Sequence, residues 1–152
     1  MIQRIQSVYF LLAGIFPAIL FFVPVFSFEN AGQSHVLSAM TFGFTGSPDL
    51  HTPWGVVVFT TLSVVLPIFA IFKFKNRPLQ IKLAKYTILV HTLLAMTFAV
   101  YAWTYINGFA QFTSYGIGAG LFFWILAIVL IILAKRAVKR DEDLVRAADR
   151  IR

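Results

Sequence analysis

The apolar stretches of this chain hold one histidine, His91, and no Asp, Glu, Lys or Arg. An ionisable group inside a membrane-spanning segment is the default pointer to function. His91 lies five residues past Tyr86, about 7.5 Å along a helix from the start of its apolar run. On a helical wheel it shares a side with Thr87, Leu94, Phe98, Tyr101 and Tyr105. A proton relay needs a series of titratable partners, and no carboxylate lies in any apolar run. The spacing therefore predicts an interhelical hydrogen bond from His91 to a threonine or a backbone carbonyl. The functional alternative has His91, Thr87 and Tyr101 serving transport or lipid binding. A second group, Glu29, His35, Asp49 and His51, carries hard-metal or zinc donors. Pro48 and Pro53 break the strand that would align Asp49 with His51, and the spacing matches no ligand motif. A haem held by two histidines would need a second histidine in the apolar runs. Phosphate-binding loops, dinucleotide fingerprints and nucleophile motifs are absent from the sequence. The expectation is no catalytic, cofactor-binding or metal-ligating residue.

What must position these side chains follows from composition. Of 152 residues, 59% are hydrophobic, 12% are charged and 17 are Phe. Soluble domains carry roughly 25% charged residues, and one this small could not cover its surface with so few. An ordinary soluble enzyme, a disordered tail and a nucleic-acid module are excluded. The absence of Cys removes disulfides, thiolate metal sites and thiol nucleophiles. Four uncharged runs, 7–26, 54–72, 86–106 and 116–134, reach the ~20 residues that span a bilayer. The first is longer than a secretory apolar core and has no A-x-A site after it, so it reads as a retained helix. All 13 Lys and Arg fall before the first run, in the 73–85 loop, or after the fourth run. Loops 27–53 and 107–115 have none. The positive-inside rule then places both termini and the 73–85 loop in the cytoplasm. Trp54, Trp103, Tyr105 and Tyr115 cluster at the outer ends, as amphipathic rings favour. Trp124 sits at mid-depth, where its indole N–H needs a partner or a helix seam.

The predicted fold is an all-α membrane protein, a bundle of four transmembrane helices with both termini inside, forming one domain over 1–152. Thr52-Pro53-Trp54 reads as a helix start with a hydroxyl cap, and Pro17, Pro24 and Pro67 predict kinks. Gly116 and Gly120, like Gly14 and Ala18, have the four-residue spacing of close helix packing. Alternation at Val36, Ser38, Met40, Phe42 and Phe44 in the longer outer loop predicts a small hairpin, with an irregular coil as its alternative. Gly32, Gly43, Gly46 and the run Ser47-Pro48-Asp49 are expected to supply turns. After Ala134 a cytoplasmic helical tail, 135–152, is expected. Leu144, Ala148 and Ile151 share one of its faces, and its basic first turns suit anionic lipid.

The opening Met1-Ile2-Gln3-Arg4-Ile5-Gln6-Ser7-Val8-Tyr9 and the ending Leu144-Val145-Arg146-Ala147-Ala148-Asp149-Arg150-Ile151-Arg152 resemble an uncharacterised family of small four-span inner-membrane proteins of Bacteroidota. The resemblance covers essentially the whole chain. It implies phylum, membrane and topology, and supplies no activity or site residues. Gln3, Arg4 and Gln6 are not needed to insert a helix, which makes the Gln3–Gln6 edge and the tail candidates for a protein contact. The functional expectation is a non-enzymatic accessory or scaffold subunit of a membrane complex, with the lipid bilayer and further membrane proteins as partners and no nucleic acid. The alternative is a small transporter, channel or lipid-binding protein.

Overall fold

The computed structural model describes residues 2–30, 33–40, 42–44, 52–108 and 114–150. The chain runs α1 (Ile2–Ile19), β1 (Phe26–Asn30), β2 (Gln33–Leu37), β3 (Phe42–Phe44), α2 (Trp54–Phe72), α3 (Arg77–Gly108), β4 (Ser114–Ile117) and α4 (Ala119–Arg150). Three of the four helices, α2, α3 and α4, are long and apolar enough to cross a membrane, and α1 adds a shorter apolar helix over Ile5–Ile19. Each helix packs against the one before and after it, and α4 closes back onto α1. Gly14 permits the α1–α2 approach, since a Cβ there would lie 3.2 Å from the Val64 carbonyl oxygen.

Two apolar clusters fill the interior. One, toward the chain termini, gathers Phe10, Ala70, Leu83, Ile131 and Val138 from all four helices. The other joins Leu20, Val56, Leu94 and Phe98 to Val25, Leu37 and Ala39 of the sheet region. The strands form one antiparallel sheet in the order β3-β2-β1-β4. Alternation sends Phe28 and Leu37 inward while Glu29 is exposed. The Val25 N–H donates to the Leu37 carbonyl (2.8 Å) and the Ala39 N–H to that of Leu20 (2.9 Å), fastening the sheet over the end of α1.

Several sequence expectations are revised. The apolar run 7–26 is not one helix: α1 stops at Ile19, two residues after Pro17, and tightens through turns closed by the Pro17, Ala18 and Ile19 carbonyls. Pro17 has no N–H to continue the ladder, and Phe26 begins a strand. Pro24 accordingly bends no helix, whereas Pro67 lies inside a helix that continues past it. The 73–85 loop shrinks to a turn because α3 begins at Arg77. There the Asn76 side chain accepts the Leu79 N–H (3.1 Å), an N-cap with proline in the first turn. Thr52 does not cap α2: Pro53 holds the cap position and no side-chain bond is made.

The expected hairpin is present, as β1–β2 and β2–β3, but β4 from the α3–α4 connection adds a fourth strand beside β1. Ser38 and Met40 lie in the turn after β2, where the Met40 N–H reaches Ser38 Oγ at 3.3 Å. The Gly116–Gly120 spacing is not a helix–helix seam. Gly116 pairs with Ser27 in the sheet, and a Cβ on Gly118 would lie 2.1 Å from the Pro24 carbonyl oxygen. The glycines allow the N–H groups of Gly118 and Gly120 to donate to Val25 (2.9 Å) and Pro24 (3.0 Å). Backbone carbonyls thus satisfy amide donors that a helix start leaves without partners.

Candidate functional site

Between the two apolar clusters runs a belt of buried polar side chains. In α2 it is Thr60 and Ser63, lying between Val56 and Ala70; in α3 it is Thr87 and His91, lying between Ala84 and Leu94. Ser63 Oγ donates to the Thr60 carbonyl (2.7 Å) and Thr87 Oγ1 to the Leu83 carbonyl (2.9 Å). Hydroxyls in apolar helices are satisfied in this way by their own backbone.

His91 is 1% exposed. Its partner is Trp124 of α4, whose Nε1–H donates to His91 Nδ1 at 3.1 Å. Indole N–H only donates, so Nδ1 is the acceptor and the ring proton of the neutral imidazole sits on Nε2. Nε2 and Thr60 Oγ1 are buried without a protein hydrogen-bond partner. The predicted interhelical bond is therefore present, with Trp124 in place of the expected threonine or carbonyl. Phe98 packs on the Trp124 ring at 6.3 Å between centroids and fixes the indole. No carboxylate lies in this belt.

The remaining candidates do not assemble around His91. Tyr101, half-buried, lies toward the end of α3 beside the start of α2, where a Cβ on Gly55 would come 4.0 Å from its ring. Glu29 accepts a hydrogen bond from Ser114 Oγ (2.9 Å), which ties β1 to β4. His35 occupies β2 opposite Phe28, while Asp49 and His51 lie outside the described residues. Among the described residues no group of three or more His, Cys, Asp or Glu could hold a metal ion.

The opposite end of the helices holds contacts that sequence reasoning missed. Gln6, buried, donates from Nε2 to the Ala137 carbonyl (3.2 Å), so α1 is bonded to the basic part of α4. That internal bond occupies the side chain expected at a protein contact. Gln80, also buried, donates to the Ala70 carbonyl (3.0 Å), which also accepts the Lys73 N–H where α2 ends. Arg77 Nε lies 2.7 Å from Asp141 Oδ2, with the N–H turned away from a hydrogen-bonding line, and this ion pair joins α3 to α4. The signals in the sequence were Gln6 near the start of α1, Gln80 near the start of α3, and Asn76 two residues before Pro78.

No curated protein and no solved structure matches the chain. Over residues 2–151 the sequence matches the family described as a domain of unknown function (DUF4293), and the chain belongs to that family.

Proposed function

We propose that the protein is a four-helix bundle of the bacterial inner membrane, in Bacteroidota as its terminal segments suggest. It crosses the bilayer four times with both termini and the α2–α3 turn in the cytoplasm, and serves as a non-enzymatic accessory or scaffold subunit of a membrane complex. The observation that carries the membrane reading is the polarity of the helices. Their exposed faces are apolar at helical spacing: Ile5, Val8, Leu11 and Ile15 on α1; Val58, Leu62, Val65 and Phe69 on α2; Leu89, Met96 and Val100 on α3; Phe122, Ile125, Val129 and Leu133 on α4. The polar residues Thr60, Ser63, Thr87 and His91 point inward. Water would favour the reverse, whereas hydrocarbon favours this arrangement. From Trp54 to Phe72 the exposed face of α2 is about 27 Å long, close to the thickness of a hydrocarbon core. Trp54 and Trp103 are exposed at one end and Tyr86 at the other, at interfacial levels.

The scaffold reading is supported by the use made of the buried belt: its histidine ties α3 to α4 through Trp124, and Ser63 and Thr87 are satisfied by their own helices. Affinity purification of the full chain in mild detergent tests it. A stoichiometric membrane-protein partner is the expected result, and recovery of the chain alone refutes the role. Orientation has its own test, because an impermeant amine reagent on intact spheroplasts should leave Lys75 and Lys82 unlabelled.

A further inference from the structure

A cleft of about 400 Å³ opens between α3 and α4 just past the last uncharged turns of each. Ile81 and Lys85 line it from α3, and Lys135, Lys139, Glu142 and Arg146 from α4, with Asp143 at its side. Glu142 holds Arg146 at 2.5 Å, so those two charges are mutually neutralised. Among the described residues Lys85, Lys135 and Lys139 are in no ion pair, and Asp143 is not within ion-pair distance of any of them. Three free ammonium groups against one carboxylate leave the cleft positive. The Arg77–Asp141 ion pair and the Gln6–Ala137 hydrogen bond hold the surrounding helices in place, so the cleft is formed before any ligand arrives. A second cleft of about 450 Å³, lined by Arg136, Lys139, Arg140, Asp143 and Leu144, shares Lys139 and Asp143 with the first and adds two further cations beside it.

What lies next to the cleft identifies the anion. Counting back by three and four from Lys135, the same face of α4 carries Ile132, Ile128 and Ile125; counting forward from Lys85, the same face of α3 carries Leu89, Thr92 and Met96. Leu89, Met96 and Ile125 are each more than half exposed. Exposed apolar side chains of α3 and α4 therefore continue from the cationic cleft on the same helix faces. A free phosphate would use the lysines and leave these side chains uncovered, whereas an anionic lipid uses both.

We propose that this cleft binds the phosphate of an anionic glycerophospholipid whose acyl chains lie along the exposed apolar side chains Leu89, Met96 and Ile125 of α3 and α4. The site rests on the membrane reading given above, in which the inner ends of α3 and α4 stand at headgroup level. Lys135 is half-buried, its stem along the apolar seam and its ammonium at the phosphate.

The test uses the full chain in a neutral detergent and measures binding of phosphatidylglycerol, with phosphatidylcholine as the zwitterionic control and glycerol 3-phosphate as the soluble anion. Phosphatidylglycerol should bind in preference to both. Each Lys→Gln change in the cleft should weaken it about fivefold, and the triple variant Lys85→Gln, Lys135→Gln, Lys139→Gln on the order of a hundredfold. The corresponding triple Lys→Arg variant should retain binding, as should Lys73→Gln with Lys75→Gln, which changes exposed cations of the α2–α3 turn. Equal binding of phosphatidylcholine, or an undiminished affinity in the triple Gln variant, overturns the site. Equal affinity for glycerol 3-phosphate overturns the lipid as its ligand. Detergent binding does not depend on orientation, so labelling of Lys75 from outside would refute the topology and leave this measurement standing.

Discussion

Removing the indole N–H of Trp124 isolates the contact that crosses the polar belt. Trp124→Phe keeps an aromatic ring against Phe98 and leaves His91 Nδ1 without its donor, in a side chain whose Nε2 is already unpartnered. Orphaning a buried polar atom costs about 1–3 kcal/mol. His91→Leu does the converse, stranding the Trp124 N–H. Both single variants are therefore destabilised, but the double variant leaves neither group unpaired. Interhelical hydrogen bonds in membrane proteins are worth about 0.6 kcal/mol on average and up to about 1.7. The double variant should accordingly be more stable than the sum of the singles predicts, by about 0.6–1.7 kcal/mol, or roughly 3- to 18-fold in the folding equilibrium. Reversible unfolding in mixed micelles of rising sodium dodecyl sulfate fraction, followed by far-ultraviolet ellipticity, measures all four proteins under one condition. A coupling within about 0.3 kcal/mol of zero would refute a bond between the two rings in the folded chain.

Gly118→Ala should be among the most damaging single substitutions, costing about 3 kcal/mol, because its Cβ would stand 2.1 Å from a backbone oxygen that cannot rotate away; the same unfolding assay should show it. Asn76→Ala should cost about 1 kcal/mol by removing the cap on α3, with hydrogen exchange rising first at the Leu79 amide. Arg77→Gln should cost up to about 1 kcal/mol, since the pair it forms with Asp141 is only partly shielded from water, and added salt should shrink the difference from the unsubstituted protein.

Where the sequence and the fold agree, one physical signal dominated. Uncharged length marked α2, most of α3 and the first half of α4, because a run free of charge that continues for ~20 residues has few other structures available. The same signal failed between Ile19 and Phe26, where every residue but Pro24 is apolar and hydropathy cannot separate helix from turn and strand. Proline was the informative residue there: Pro17 marked the end of α1 rather than a bend within it. At Gly116–Gly120 the four-residue spacing suggested helix packing, yet these glycines serve carbonyls that arrive from a segment nearly a hundred residues earlier. Alternation revealed the hairpin, but not its pairing with β4, because no short-range pattern encodes a partner in a different loop. For His91 the need for an interhelical bond was legible, and so was the need of Trp124 for a partner. Joining the two required the facing of α3 and α4, which four apolar helices with several equivalent packings do not declare.

The Glu29–Ser114 bond and the β1–β4 ladder connect positions 85 residues apart. At ribosomal rates of ~5–20 residues per second, β1 is made roughly 4–17 s before its second neighbour exists. During that interval its outer edge presents unpaired amide and carbonyl groups, the kind of edge that recruits a foreign strand. Biogenesis of this protein is thus exposed to misassembly at its sheet until β4 is made, and the segment from Ser114 to Gly120 supplies both the missing strand neighbour and the donors that lock it.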